Sequence, residues 1–383
     1  MALMDRPAFS AGAVFIDPSV TLSGTSGAGN SLDAHNIAPE TGIPNIHYIH
    51  PLNAQWWVGA SLTSNFGLST KFANHYSGVP FAGKTDLMSA NVNLSTAHRF
   101  NRHFTFGVGF DAVYARAKIE RYAGELGAML PAELPVLSAN TQIAHLKGNK
   151  WGYGWNAGIL YELNDNNRFG LTYRSEIKVG FSGNYKSTIP AKYNSIITAF
   201  GLPMGTSGIS IPGSLSLHLP AIWEISAYHR LAPHWAIHYG LALTSWHQFK
   251  ELKATNSDGQ TLFYKEEGFR DAYRVAAGTS WYYDDNWTFR AGVAFDESPV
   301  PADKRSISIP DQDRIWLSLG ATYAFNDNTS VDMGISYMHG KKVTIREGVD
   351  LAATGANNGI PVPYLFDASG KAWLYGASFN YRF

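Results

Sequence analysis

The sequence predicts an all-β protein, a transmembrane antiparallel β-barrel of fourteen strands with both termini on the periplasmic side. Three observations favour this fold class. Short segments alternate between apolar and polar residues, aromatic residues stand beside turns rich in Asn and Asp, and no run approaches the roughly 18 apolar residues of a spanning helix. Because a barrel wall is apolar on one face only, a mean hydropathy of −0.15 is compatible with membrane insertion.

The C-terminal segment shows the alternation most clearly. From Trp373 to Phe383, every second residue is Trp, Tyr, Ala, Phe, Tyr and Phe, and the residues between them are Leu, Gly, Ser, Asn and Arg. Because successive side chains of a strand point to opposite faces, one face is almost wholly aromatic. A strand of about this length spans a membrane with its apolar face towards lipid.

The same alternation marks the other strands, and short turns connect them in pairs. The predicted strands cover 9–15, 46–48, 56–62, 88–94, 104–114, 151–161, 169–173, 223–225, 235–243, 273–283, 287–295, 315–325, 331–337 and 373–383. The short turns lie at 51–54, 101–103, 164–167, 231–233, 284–286 and 326–328. Asn and Asp suit such turns because they tolerate positive φ. An even number of strands places both termini at the short-turn end.

Several classes of protein are disfavoured. A large soluble β protein would leave unexplained why nearly every strand carries a Trp, Tyr or Phe beside its short turn, whereas a membrane interface explains it directly. A formal net charge of zero does not indicate a basic surface for binding nucleic acid. The sequence has no His-Glu-x-x-His or Gly-x-Ser-x-Gly motif and no cysteine. We therefore predict no enzyme activity, cofactor or metal, and a location in the bacterial outer membrane.

Two long loops, at 125–137 and 193–211, are unusually apolar. Their apolar residues include Leu126, Met129, Leu130 and Leu134 in the first loop, and Ile196, Ile197, Phe200 and Leu202 in the second. An exposed apolar patch at the mouth of a barrel indicates a binding site for an apolar ligand. The alternative is that the two loops simply pack against each other.

Alternation also gives directions at the top of the fifth strand. Arg121 has the parity of Asp111, which is the lumen side, and a cation there could pair with an anionic head group. A simple rim salt bridge is the alternative explanation of Arg121. Arg116 and Lys118 have the opposite, outward parity and are expected above the lipid band.

Six segments carry a resemblance to a known family. They read Asp-Arg-Pro at 5–7, His-Asn-Ile-Ala-Pro at 35–39, Tyr-Ala-Arg-Ala-Lys-Ile-Glu-Arg at 114–121, Gly-Trp-Asn-Ala-Gly-Ile-Leu-Tyr-Glu at 154–162, Thr-Tyr-Arg-Ser-Glu at 172–176 and Ser-Ile-Ser-Ile-Pro-Asp-Gln-Asp-Arg at 306–314. The sequence resembles, from Ala2 to Phe383, the FadL family of outer-membrane long-chain fatty acid transporters. This resemblance implies a fourteen-stranded barrel that takes up long-chain fatty acids and similar amphiphiles by passive diffusion.

The resemblance also implies a route. In the family, a hydrophobic groove between two extracellular loops captures the ligand, which matches the two apolar loops here. A deeper pocket holds its carboxylate, and the matching residues in this sequence are Ser64, Arg121 and Lys265. The family's third strand kinks and leaves a lateral opening to the bilayer, and Asn65, Phe66 and Gly67 fall on that kink. Simple alternation points Ser64 outward, but such a kink would turn it inward.

The N terminus departs from the family pattern. The family begins with a plug, the hatch, that ends in Asn-Pro-Ala-Leu, whereas this sequence begins Met-Ala-Leu. We therefore expect residues 1–383 to form a single β-barrel domain in which the hatch is largely absent. Two alternatives remain open, namely an aromatic-hydrocarbon channel of the same superfamily and an unplugged general porin. We also expect contacts with outer-membrane lipid and lipopolysaccharide.

Overall fold

In the computed structural model, the described residues are 2–129, 137–197, 202–349 and 362–383, and they form a closed antiparallel barrel of fourteen strands. The strands are β1 (Ala8–Thr25), β2 (Thr41–Pro51), β3 (Trp56–Thr63 and Gly67–Lys71), β4 (Lys84–Arg99), β5 (Phe104–Tyr122), β6 (Gln142–Asn164), β7 (Asn167–Arg174 and Ile177–Lys186), β8 (Ser210–Leu219 and Ile222–Ala232), β9 (Trp235–Thr244), β10 (Ala272–Tyr282), β11 (Trp287–Asp296), β12 (Arg314–Ala324), β13 (Thr329–Gly340) and β14 (Val362–Arg382). The predicted all-β antiparallel barrel of fourteen strands is confirmed, and the periplasmic position of the termini stays a prediction.

Shorter elements extend the barrel at the long-loop end. Ala34–His35 pairs with β1, Glu251–Thr255 and Thr261–Glu266 form a hairpin between β9 and β10, and Val343–Val349 pairs with β14. The α-helices are α1 (Leu126–Met129) and α2 (Asn194–Ile197), and two 3-10 turns cover Ala191–Tyr193 and Trp246–Gln248. Among the described helices, none has the length and hydropathy that a membrane span requires.

The barrel closes through its first and last strands. β1 pairs with β14 from Ala8↔Arg382 to Thr25↔Leu365, and β1 pairs with β2 on its other side. Closure matters because an open sheet edge in lipid would leave backbone N–H and C=O groups without partners.

The aromatic face of the last strand lies on the outside of the barrel. Trp373, Tyr375 and Phe379 are 40%, 45% and 45% exposed. A soluble sandwich would have buried these rings against a second sheet. Their exposure is the arrangement expected of a wall that faces lipid.

The short turns are built by side chains rather than by unusual backbone angles. Asn53 Oδ1 accepts hydrogen bonds from Gln55 N (2.9 Å) and Trp56 N (3.0 Å). The turns at Asn101, Asp284 and Asn326 repeat this pattern. Within the described ranges, the residues other than Gly that have positive φ are Asn36 and Ser207, and neither lies in a short turn. The expected reason for Asn and Asp in these turns was therefore wrong, since their side-chain oxygens cap the turn instead.

Several strands run further than the alternation predicted. β5 was expected at 104–114 and extends to Tyr122, and β6 was expected at 151–161 and begins at Gln142. The β5–β6 ladder is continuous up to Arg121↔Ala144. Above the lipid band the outward residues become polar, so the apolar pattern ends although the hydrogen-bonded strands continue.

The interior differs between the two ends. At the long-loop end, connecting segments fold into the lumen, where Leu32, Tyr76 and Ile307 pack against Ile345 and Phe366. At the short-turn end the lumen is open, and a cavity of about 610 Å³ extends upward from Leu3. Trp57 Nε1 donates to the carbonyl of Met4 (2.8 Å), so the first described residues lie inside the barrel base.

Candidate functional site

The third strand is interrupted by a bulge. β3 pairs with β4 through Thr63↔Asn91 and resumes at Gly67↔Met88, so residues 64–66 oppose two residues of β4. Ser89 holds the bulge, because the N–H of Phe66 donates to its Oγ (3.2 Å) and that hydroxyl donates to the Phe66 carbonyl. An extra residue of this kind bends a strand and re-aims its side chains.

The wall beside this bulge has a gap. The β2–β3 ladder ends at Ile46↔Leu62. Above that pair, residues 41–45 of β2 are paired with β1, and Gly67–Lys71 of β3 is paired with β4, but no register joins the two segments in the part of the chain that the structure describes. A backbone hydrogen bond from Lys71 N to Ile37 O (2.8 Å) lies further up. The ladder is therefore missing between β2 and upper β3.

A lumen cavity of about 370 Å³ reaches this gap. Asn65, Phe66 and Gly67 line it at the wall. Apolar residues continue the lining, including Leu87, Ile119, Leu217, Trp246, Phe249 and Phe269. Polar residues line other parts, including Asp86, His218, Arg274, Asp296, Asp311 and Arg314. A cavity with both kinds of lining suits an amphiphilic ligand.

Aromatic contacts shape the apolar part of this cavity. The rings of Phe66 and Trp246 meet edge to face with centroids 6.2 Å apart. Trp246 and Phe249 both make edge contacts with Phe269, at 5.8 and 4.9 Å. Edge-to-face packing fixes ring orientations without filling the space between the walls. The bulge residue Phe66 is thereby tied to the aromatic wall opposite.

Arg121 is buried behind the cavity, and its guanidinium already has protein partners. Its side chain is 4% exposed. Nη1 donates to the carbonyls of Lys84 (3.0 Å) and Glu120 (2.9 Å), and Nη2 donates to Thr85 Oγ1 (3.1 Å). Thr85 itself lines the cavity, so Arg121 lies one residue behind the lining. Arg121 makes no salt bridge with any residue that the structure describes, since its three hydrogen-bond partners are two carbonyls and a hydroxyl.

Lys265 belongs to a group of buried and partly buried charges around Arg121. Its Nζ lies 2.9 Å from Oε1 of Glu267, a residue that is 1% exposed. Glu267 and Glu347 both act electrostatically on Arg121, and Lys265 acts on Glu347. Burial raises the pKa of the Glu347 carboxyl, which lies in the extension above β13, and Lys265 opposes that shift. Two cations and two carboxylates are thus gathered here.

Ser64 is not part of this charged group. Its Oγ donates to the carbonyl of Ser89 (2.7 Å). Ser89 stands four residues along β4 from Thr85, the partner of Arg121. At a rise of about 3.3 Å per residue, these contacts are about 13 Å apart. One carboxylate does not reach both in this conformation, and the carboxylate role of Ser64, Arg121 and Lys265 stays a prediction.

The two apolar loops meet. Ile197 is buried with Ile189 and Ala123, and Leu137, Ile196 and Leu202 pack against the same cluster. Leu126 is also buried, on α1. Leu130, Leu134 and Phe200 lie outside the described residues, as does the side chain of Met129. The loops therefore pack against each other, which is compatible with a groove between them but does not test it.

Sequence reasoning missed the segment that links the bulged strand to the charged group. The carbonyl of Ser308 accepts from Thr70 Oγ1 (2.8 Å) on upper β3. The N–H of Ile307 donates to Glu347 Oε2 (2.8 Å). The alternating Ser and Ile residues at 306–309 belong to a segment that resembles the family, but their pattern is typical of a short strand and does not predict a contact in the lumen. The partners Glu267 and Glu347 were missed because each is far from Arg121 in sequence.

The comparisons with known proteins decide the family. The family described as "Outer membrane protein transport protein (OMPP1/FadL/TodX)" matches residues 1–383. The chain belongs to this family. It is accordingly an outer-membrane transport protein and not an enzyme, as the sequence predicted.

Similar proteins span the whole chain. The long-chain fatty acid transport protein of Escherichia coli O6:H1 is 58% identical over 395 residues, which cover 100% of this chain and 86% of that protein. The protein of the same description from Salmonella typhi is 56% identical over 390 residues, with the same coverage of 100% and 86%. Whether this OMPP1/FadL/TodX chain lacks most of a hatch stays a prediction.

Solved structures share the fold at low identity. A Pseudomonas aeruginosa FadL homologue superposes with a TM-score of 0.86 at 20% identity, covering 100% of this chain and 91% of that one. The Pseudomonas putida toluene transporter TodX superposes with a TM-score of 0.69 at 16% identity, with coverage of 100% and 91%. These likenesses establish the barrel fold of this family member.

Proposed function

We propose that this chain carries long-chain fatty acids across the outer membrane by passive diffusion. The ligand enters between the two apolar loops, passes through the lumen cavity and leaves sideways through the gap between β2 and β3. The long loops are extracellular and both termini are periplasmic, as is usual for outer-membrane barrels. The observation that carries the proposal is the cavity that ends at the bulge, where the wall has no ladder.

The energetics favour a route of successive apolar sites. Each methylene group removed from water contributes about 0.8 kcal/mol, so a long acyl chain gains many kcal/mol on entering the cavity. A lateral exit delivers that chain directly to the bilayer, and it never has to return to water. No energy source is needed, because the first step moves the acyl chain from water to an apolar site and each later step exchanges one apolar environment for another.

Arg121 and Lys265 are proposed to hold the ligand carboxylate. Arg121 is buried and Lys265 is partly buried, and charge-assisted hydrogen bonds from such cations are stronger than those between neutral groups. Their present partners must be displaced or shared, so Lys265 exchanges the Glu267 carboxylate for that of the ligand. Because of this exchange, we expect Arg121 and Lys265 to bind the ligand carboxylate tightly enough to orient it and weakly enough to release it.

A neutral hydrocarbon is the second candidate ligand. Arg121 and Lys265 already bind protein partners, and this favours a neutral ligand because the cavity surface beside Phe66 is then largely apolar. Titration of the purified barrel with oleate, methyl oleate and a neutral aromatic hydrocarbon separates the two candidates. Saturable binding of oleate that is tighter than that of its ester supports the fatty acid. Equal binding of all three ligands, or of the hydrocarbon alone, contradicts it.

A further inference from the structure

The outer face of β5, β6 and β7 changes character above the lipid band. Outward residues of the lower part are aromatic, with Tyr114 opposite Trp151 in the ladder. Four residues further up, Lys118 stands directly opposite Lys147. At about 3.3 Å per residue this is about 13 Å along the strand, or about 10 Å in height for a tilted strand. The lysines therefore lie at the level where lipid head groups begin.

Basic residues outnumber acidic ones on this surface. Arg116 and Lys118 on β5, Lys147 on β6 and Lys186 on β7 share the outward face, and Asn184 of β7 stands opposite Lys147. The carboxylates facing them are Glu120, which pairs with Lys118 at 2.9 Å, and Asp86, which is 3.9 Å from Arg116. His145 also contacts Glu120, at 3.2 Å. The surface carries excess positive charge even with His145 neutral.

Two of these lysines have no partner among the residues that the structure describes. Lys147 and Lys186 are exposed, and neither makes an ion pair or a side-chain hydrogen bond within the described part of the chain. Like charges directly opposite each other in a ladder destabilise it, and Lys118 and Lys147 are such a pair. An anion bound at Lys147 reduces that repulsion.

A groove joins the two free lysines. It has a volume of about 580 Å³, and its lining includes His145, Lys147, Asn149, Ser182, Asn184 and Lys186. These side chains offer ammonium, amide, hydroxyl and imidazole groups, and no carboxylate lines the groove. A neighbouring outer groove, by contrast, contains Glu176 and Glu251 beside Lys253. Of these two grooves, the first has the donor chemistry of a phosphate site.

We propose that this groove, at Lys147 and Lys186, binds a phosphate group of the outer-leaflet lipopolysaccharide. The site faces lipid rather than the lumen, so it is separate from the transport route. Its position just above the aromatic band places it beside phosphorylated sugars of the surrounding glycolipid, whose acyl chains cover the aromatic face below. Such a contact anchors the β5–β7 side of the barrel in the membrane, away from the β2–β3 gap.

The test uses the full chain in detergent and three probes: bisphosphorylated lipid A, dephosphorylated lipid A and inorganic phosphate. Lys147→Glu combined with Lys186→Glu is expected to weaken binding of the phosphorylated lipid at least about tenfold, because each cation near an anionic lipid contributes substantially. Lys253→Glu is the matched control, since Lys253 is an exposed outer lysine flanked by carboxylates, and it is expected to change binding less than about twofold. Oleate binding should be the same in the unchanged protein, in the double variant and in the Lys253→Glu control.

Three outcomes would overturn the proposal. They are unchanged lipid affinity in the double variant, equal losses in the double variant and the control, and full competition by inorganic phosphate, which would indicate a free-anion site. If charge reversal prevents barrel folding, as judged by lost resistance to unfolding in detergent, Lys147→Gln with Lys186→Gln decides instead. The side chains point away from the wall, so the neutral pair should fold normally.

Discussion

Two parts of the same wall are built very differently. Between β5 and β6 the ladder runs from Phe104↔Tyr161 to Arg121↔Ala144 without a break. Between β2 and β3 it stops at Ile46↔Leu62, and β3 then bulges away. Backbone groups exposed to lipid without partners are costly, so a missing ladder persists only where the surroundings support it. The comparison teaches that the same wall combines a continuous ladder with an interrupted one, and the interrupted side is where we propose that the ligand leaves.

The bulge can be removed without changing any cavity side chain except Asn65. Deletion of Asn65 leaves two residues of β3 opposite two of β4, so the ladder can continue as it does between β5 and β6. We expect uptake of labelled oleate by cells to fall at least about tenfold, since a regular ladder seals the wall. Oleate binding to the purified protein should change less than about twofold.

A matched deletion provides the control. Leu163 is the extra residue where β6 and β7 shift register between Glu162 and Asn164, near the short turns. Its deletion also removes a bulge residue, but at a place remote from the gap. Uptake should be retained in this variant. If deletion of Asn65 left uptake intact, the lateral exit would be wrong.

Substitutions in the charged group around Arg121 test whether the lumen recognises the carboxylate of the ligand. Arg121→Ala together with Lys265→Ala should weaken oleate binding at least about tenfold, because hydrogen bonds to charged groups contribute about 1.5–3 kcal/mol each. Methyl oleate, which has no charge, should lose much less. Arg274→Ala is the control, since Arg274 is a cation that lines the cavity, whereas Arg121 lies behind the lining. Equal losses of affinity for the acid and the ester would show that Arg121 and Lys265 do not bind the carboxylate. A larger loss of oleate affinity with Arg274→Ala would assign that role to Arg274.

A smaller effect is expected when the competing carboxylate is removed. Glu267→Gln leaves the shape of the site but frees Lys265 from its ion pair. Oleate should bind about threefold tighter, because the ligand no longer competes with a buried charge. Methyl oleate serves as the control and should be unaffected. Weaker oleate binding in this variant would indicate that Glu267 positions Lys265 for the ligand.

Much of the fold could be predicted because membrane barrels repeat one simple pattern. Alternation at Phe104, Phe106, Val108 and Phe110 reflects one face in lipid and one in the lumen, and the structure exposes all four side chains on the outside. Strand ends were harder to predict. Lys118 and Lys147 belong to paired strands, but they are charged on the outer face and therefore break the apolar pattern.

The candidate site was less predictable, for reasons of distance. The parity of Arg121 predicted its inward direction, but not its partners. Glu267 and Glu347 come from other strands, and periodicity within one segment carries no information about them. Alternation also carries no information beyond residues 64–66, because a single extra residue reverses the direction of every later side chain. Here the family resemblance, rather than the pattern, pointed to residues 65–67.

The pairing of β1 with β14 has a consequence for how the protein is made. These strands pair along all 18 residues of β1, although they come from opposite ends of the chain. Contacts so distant in sequence form late and slowly, since a very long loop must close first. The barrel therefore cannot close before its last strand is present, and a chain cut short before β14 would leave β1 and β13 with unpaired edges.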